Sequence, residues 1–225
     1  MRAAIIEPLL ACAVLLLLAG CATQSRPGEA EVLPAQVFRV KGDACWRSAA
    51  DQPWQKVKKG TRLTPGAEIQ TAAKSRADIC FGRSPKRIRG DLGLGNPRHN
   101  LGRTTLYDNM ISVWENSLVR FDRLALAGNE SGRGRAEEVR IELSAGHISG
   151  GVPKLAQGSR YEVKFLDGVA RVFGTIYDVS AEGIIRVRTG RVSVTYPGAQ
   201  KPQIVAGGEQ FDVHTGVLMP LPECG

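Results

Sequence analysis

Among the residues able to do chemistry, the five cysteines, at positions 12, 21, 45, 80 and 224, are the most unevenly placed. They form no C-x-x-C pair and no cysteine–histidine cluster, so neither zinc nor haem ligation is expected. His99, His147 and His214 each lack a partner at ligand spacing, and for His147 a turn or surface role is expected. Ser117 and Ser144 lack the G-x-S-x-G setting of an activated nucleophile. GDLGLGN (90–96) is glycine-rich but matches neither a phosphate loop nor a dinucleotide fingerprint. Glu137 and Glu138 lie in a polar stretch where a solvated face is expected. These patterns predict no catalytic residue, no metal and no cofactor. Trp46, Trp54 and Trp114 remain as candidates for a surface that stacks sugars or anchors a partner, with core packing as the competing role.

Cys21 stands apart by its context. Arg2 supplies a positive start, an apolar run extends from Leu9 to Leu18, and Leu18-Ala19-Gly20-Cys21 closes it. A charged start, a short apolar core and small residues before a cut make a secretory signal. The LAGC segment resembles the lipobox of bacterial lipoproteins, which implies cleavage before Cys21 and lipid on that cysteine. A spanning helix needs about 20 apolar residues, and this run is shorter. An ordinary signal cut at Ala11 or Ala13 would fall inside the apolar core. One acyl chain holds a membrane only marginally, and the resemblance implies several. Ala22 after the cysteine implies outer-membrane sorting, with the domain facing the periplasm or the surface.

An exported chain meets an oxidising compartment, where cysteine pairing is expected. Cys12 leaves with the signal and Cys21 carries lipid, which leaves Cys45, Cys80 and Cys224. Cys45 and Cys80 fall in two apparent strands of one N-terminal block, and a disulfide between them is expected. It would close a loop of about 35 residues and stabilise the fold by roughly 3–4 kcal/mol. Pairing of either with Cys224 is the alternative.

Thirty Lys+Arg against 22 Asp+Glu give the 225-residue chain a formal charge of +8. Lys56, Lys58, Lys59 and Arg62 form one basic cluster, and Arg83, Lys86, Arg87 and Arg89 another. A merely solvated face is the first expectation for both; otherwise, outside the cytoplasm, anionic head groups, surface polysaccharide or the cell-wall polymer are the counter-charges, and nucleic acid is not an expected partner.

The elements that must position these residues read as strands. Residues 1–20 form the signal, and 21–35 (beyond Cys21, ATQSRPGEAEVLP and Ala35) a flexible tether. Alternating apolar runs follow at 36–40, 67–71, 76–81, 110–114, 118–122 and 139–143, then at 161–165, 170–173, 176–179, 184–187, 191–195 and 210–213. Glycine-bearing turns separate them, which predicts an all-β domain over 36–213. Loops are expected at 82–104, an insertion, and at 127–138, with a tail over 214–225. No window outside the signal helix sustains a helical period.

VARVFGTIYDV (169–179), with WENSLVRF (114–121), ELSAGHISGGV (142–152), RTGRVSV (188–194) and PGAEIQTAAKSRADICFG (65–82), resembles the FecR family. That resemblance covers about 36–213 and implies an exported domain of short strands in a solenoid-like or curved two-sheet arrangement. The family's regulators place a cytoplasmic segment and a spanning helix ahead of that domain. Here the lipobox is expected to remove the apolar segment, so no direct sigma-factor contact is expected. The function expected is that of a non-enzymatic envelope lipoprotein, membrane-bound through Cys21, whose β domain binds another envelope protein or a polysaccharide. An accessory or sensory part of a surface signalling system is the alternative. A wall- or glycan-acting enzyme would need a converging pair of carboxylates.

Overall fold

The structure is a computed structural model that describes residues 31–82, 109–127, 136–166 and 168–221. Cys21, Cys224, His99, the signal, the second basic cluster and most of the 82–104 insertion lie outside the described residues. Within them there is no helix.

The alternating runs form short strands. In chain order the first are β1 (Glu31–Val32), β2 (Ala35–Lys41), β3 (Ala44–Arg47), β4 (Gln55–Lys56), β5 (Arg62–Leu63) and β6 (Glu68–Thr71). Next come β7 (Arg76–Phe81), β8 (Met110–Val113), β9 (Leu118–Ala127), β10 (Ala136–Ala145), β11 (His147–Gly151), β12 (Arg160–Phe165) and β13 (Gly168–Val172). The last are β14 (Ile176–Ser180), β15 (Ile184–Thr189), β16 (Arg191–Thr195), β17 (Gln203–Ala206), β18 (Glu209–Asp212) and β19 (Val217–Pro220).

They make two sheets. The ten-stranded sheet runs β17-β16-β13-β12-β10-β9-β6-β3-β4, with β1 on β9, and the nine-stranded sheet runs β19-β18-β15-β14-β11-β8-β7-β2-β5. The chain advances from one end of both sheets to the other, laying strands first in one and then in the other. All pairs are antiparallel except β10–β12, which lie parallel because β11 crosses between them to the opposite sheet. This is an open two-sheet arrangement with a solenoid's progression.

Alternation sets what each sheet buries. Val37, Ile79, Phe81, Ile111, Ile148, Val179 and Val187 from one sheet meet Ile69, Val119, Phe121, Ile141, Val163, Val172 and Val192 from the other in a single apolar cluster. Two buried tyrosines bridge the layers: Tyr177 Oη donates to Tyr161 Oη at 3.2 Å. Burial pushes both phenols above the usual tyrosine range.

The strand-to-strand corners also stack. On one flank Ala72 N–H donates to Asp43 C=O at 3.0 Å, Trp114 N–H to His147 C=O at 3.1 Å and Ala181 N–H to Gly146 C=O at 2.8 Å. On the other flank Val152 and Thr175 exchange two bonds of 2.9 Å, and Gly207 N–H reaches Gly190 C=O at 2.9 Å. Gly146 and Gly190, where the chain changes sheet, have φ of 74° and 81°, a backbone region that L side chains rarely adopt.

Several boundaries differ from the expectations. Among the described residues strand pairing already includes Glu31, inside the expected tether, where Leu33 is fully buried and its N–H reaches Leu124 C=O at 3.2 Å. The expected tail carries β19, which closes a hairpin with β18. Residues 136–138, read as loop, extend the β9–β10 hairpin, and Glu138 satisfies its charge on the solvent side with Arg123 at 2.9 Å and Arg140 at 2.7 Å.

The expected Cys45–Cys80 disulfide is not formed; both are free thiols. Cys45 is exposed on β3 of the ten-stranded sheet, whereas Cys80 lies on β7 of the nine-stranded sheet, between Ile79 and Phe81 of the core and so facing away from it. Packed sheets stand about 10 Å apart, and outward side chains on opposite sheets are farther apart than a disulfide spans. The Cys80 thiol donates to Gln36 C=O at 3.5 Å. Burial, the main influence on its pKa, pushes it up, against lowering contributions from the Gln36 side chain and nearby backbone groups. Because the thiolate is the reactive form, a short pulse of alkylating reagent on the folded protein is expected to modify Cys45 and spare Cys80 until denaturant is added. Peptide mapping that found the two joined, or both equally reactive, would contradict this arrangement.

Candidate functional site

The outer face of the nine-stranded sheet carries a polar row that runs across its strands. Register places Arg39 opposite Asp78, Asp78 opposite Ser112, and Ser112 opposite Ser149. It continues through Asp178, Arg186 and Gln210. Each of these strands contributes one residue, and the first six, Arg-Asp-Ser-Ser-Asp-Arg, read the same from either end.

Hydrogen bonds join the row. Arg39 Nη2 meets Asp78 Oδ2 at 2.6 Å, Arg76 Nε meets Asp78 Oδ1 at 3.1 Å, and Ser112 Oγ donates to Asp78 Oδ1 at 2.7 Å. In the other half Ser149 Oγ donates to Asp178 Oδ2 at 3.0 Å, and Arg186 reaches Asp178 Oδ1 at 3.4 Å and Gln210 Oε1 at 2.6 Å. Trp114 Nε1 donates to Ser149 Oγ at 2.6 Å, its ring stacks on His147 at 5.5 Å, and the Arg76 guanidinium lies 5.1 Å from its centre. Asp78 is only 1% exposed, and burial of a carboxylate is tolerable because three donors converge on it.

What this row can do is limited by its spacing. Asp78 and Asp178 stand three strands apart, about 14 Å at the usual interstrand distance, beyond the roughly 5–9.5 Å at which paired carboxylates cleave a glycosidic bond. Among the described residues no three His, Cys, Asp or Glu side chains converge as metal ligands. The row is a largely buried hydrogen-bonding and ion-pair network, reaching solvent at Arg39 and Arg186, with a tryptophan laid against it.

Ion pairs in contact with solvent cover the outer face of the ten-stranded sheet. Arg47–Glu68, Arg120–Glu142, Lys164–Glu142, Arg123–Glu138 and Arg160–Glu162 alternate in sign across it. Five basic side chains meet four carboxylates in this array, so it holds little of the chain's basic excess, and each pair contributes little.

The tryptophans are not brought together. Trp114 is 2% exposed, Trp46 packs against the core on the inner face of β3, and Trp54 alone is exposed, at 38%. Arg47 already lies over the Trp54 ring, 4.5 Å from its centre. Of the first basic cluster, Lys56 pairs with Asp43 at 3.4 Å. Sequence reasoning missed the polar row. Its signal was a polar residue set between apolar ones within a short strand: Asp78 in RADICF, Ser112 in MISV, Asp178 in IYDVS.

The sheets stay open, so each ends in edge strands. β19 closes the nine-stranded sheet, and β17 the ten-stranded sheet, at the C-terminal end. Val217, Leu218 and Met219 are each 40–45% exposed, Ile204 of β17 is 47% exposed, and VLMP carries no charge. Natural edges are commonly blunted by lysine or proline, and here only Pro220, the last residue of β19, does so.

No family model matches the chain, and no curated protein does. Two crystal structures resemble it, both of proteins provisionally described as anti-sigma factors from Parabacteroides distasonis ATCC 8503. One shares 16% identity over 69% of this chain with a TM-score of 0.40, and the other 19% identity over 53% with a TM-score of 0.36. The chain spans 59% and 54% of their respective lengths.

Proposed function

We propose that the chain is an envelope lipoprotein, held to the membrane through Cys21, whose FecR-like β domain binds another envelope component by accepting an extended segment along β19. The bare edge of β19 carries this reading. Among the described residues no strand pairs with its outer side, so it presents backbone groups beside exposed, uncharged side chains, the two requirements of strand addition. Main-chain hydrogen bonds would supply affinity, and Leu218 and Met219, which alternate to the two faces, would select the side chains of the incoming strand.

Val217→Lys tests the edge. Val217 pairs with Asp212, so a lysine there gains an opposite charge within the sheet while charging the edge. The full chain is expected to retain a partner from envelope extract that the variant loses at unchanged melting temperature. Equal recovery by both, or recovery of nothing specific by either, would rule out the edge as the binding surface. The anchor is tested separately: labelled palmitate is expected in the wild type and absent in Cys21→Ala, and incorporation that survived the substitution would overturn the lipid assignment.

A further inference from the structure

At the N-terminal end of the nine-stranded sheet, Lys41 and Arg76 stand directly opposite each other on β2 and β7. Like charges facing across a strand pair destabilise a sheet unless something compensates them. Lys74 lies two residues before Arg76 with φ of 57°, and Arg39 two residues before Lys41, so four cations share one corner.

The nearby carboxylates offset part of this charge. Asp78 is shared by Arg39, Arg76 and Ser112. Glu115 Oε2 accepts the backbone N–H of Lys74 at 2.6 Å, and Asp43 is held by Lys56. The side chains of Lys41 and Lys74 have no ion pair among the described residues.

Lys41, Lys74, Ser75 and Arg76 line an open-sided pocket of about 40 Å³. Its wall is braced: Ser75 Oγ accepts the Asp43 N–H at 2.9 Å and donates to Ala73 C=O at 3.1 Å. The Arg76 guanidinium is fixed between Asp78 and the Trp114 ring. We infer that this pocket binds a phosphoryl group or a comparable tetrahedral oxyanion. Lys41, Lys74 and a positioned Arg76 guanidinium line this one open-sided space, and an anion there would relieve the facing of Lys41 and Arg76. Burial, the main influence on Arg76, holds its pKa below the usual arginine range; Asp78 opposes this and Arg39 adds to it, as expected where positive charge is crowded.

The phosphoryl group could be free or carried on a lipid. In nonionic detergent, with ionic strength matched by chloride, inorganic phosphate is expected to protect Lys41 and Lys74 of the full chain from acetylation in a saturable way. Arg76→Gln is expected to weaken that protection at least ten-fold, with Lys154 and Lys201 as unprotected controls. Vesicles of phosphatidylcholine containing phosphatidic acid form the second arm. Protection there, absent with phosphatidylcholine alone, assigns the lipid source, while protection by phosphate only assigns a free or glycan-borne group. Lysines equally reactive under every condition, or protection that is unchanged in Arg76→Gln, would overturn the inference. If Arg76→Gln does not fold, Lys41→Gln is read instead, by loss of protection at Lys74. The pocket lies at the opposite end of the sheet from β19, so its failure leaves the edge proposal standing, and the reverse.

Discussion

Gly146→Ala is expected to cost the fold about 3 kcal/mol or more, the sum of a left-handed backbone and a corner with no room for a methyl group. At φ of 74° a Cβ would lie 2.7 Å from both Asn116 O and Ser117 Cα, and closer still to Ser117 Oγ. Two of these are backbone or backbone-bound atoms of the next corner and cannot rotate away. The same corner is tied by Ser117 Oγ, which accepts the His147 N–H at 3.0 Å, and by Thr71 Oγ1, which donates to Trp114 C=O. Opening it would disturb three successive crossings between the sheets. Gly60→Ala is the control: its φ is 86°, but nothing lies within 4 Å of the added Cβ. It should cost only the conformational penalty, about 1 kcal/mol. Denaturant melts of the two variants separate these contributions. Equal losses would mean that the corners are not packed as described.

Asp78→Ala should have a comparably large effect, about 3–5 kcal/mol, because it leaves the largely buried Arg76 and the hydroxyl of Ser112 without their shared acceptor. The Arg76 side chain is only 11% exposed, and Ser112 is buried. Arg39, the third partner, is 44% exposed and can turn to water. Arg39→Ala is therefore expected to cost no more than about 1 kcal/mol, the range of exposed pairs. The contrast carries the test: similar losses for Asp78→Ala and Arg39→Ala would show that Asp78 is not the hub of the row. Salt should diminish the Arg39 contribution and scarcely change that of Arg76, since screening acts on exposed pairs.

Which face each strand buries was legible in the sequence wherever apolar residues alternate, as in Arg160–Phe165 and Arg191–Thr195. The physical reason is local: successive side chains point to opposite sides, so one buried face writes a period of two. RADICF and MISV do not alternate, because Cys80 and Met110 are buried on the outer face while Ile79 and Ile111 are buried on the inner one. There the pattern marks a strand but not its direction. Corner glycines were legible as turns, since Gly146 and Gly190 interrupt apolar runs, but which of them change sheet was not. The short apolar run ending in LAGC and Cys21 was likewise a purely local signal, and the expectation of lipid rests on it alone.

Other features depended on which strands became neighbours. Cys45 and Cys80 both sit in strands of one N-terminal block, yet β3 and β7 joined opposite sheets, and no spacing along the chain encodes that. The polar row gathers residues from Arg39 to Gln210, one per strand, with intervals set by loop length and therefore without any period. The Lys41–Arg76 pocket and the bare edge of β19 arose in the same way, from register and from the open ends of two sheets that do not close. Alternation is local and survives in sequence, whereas register is decided by a core assembled from strands far apart in the chain.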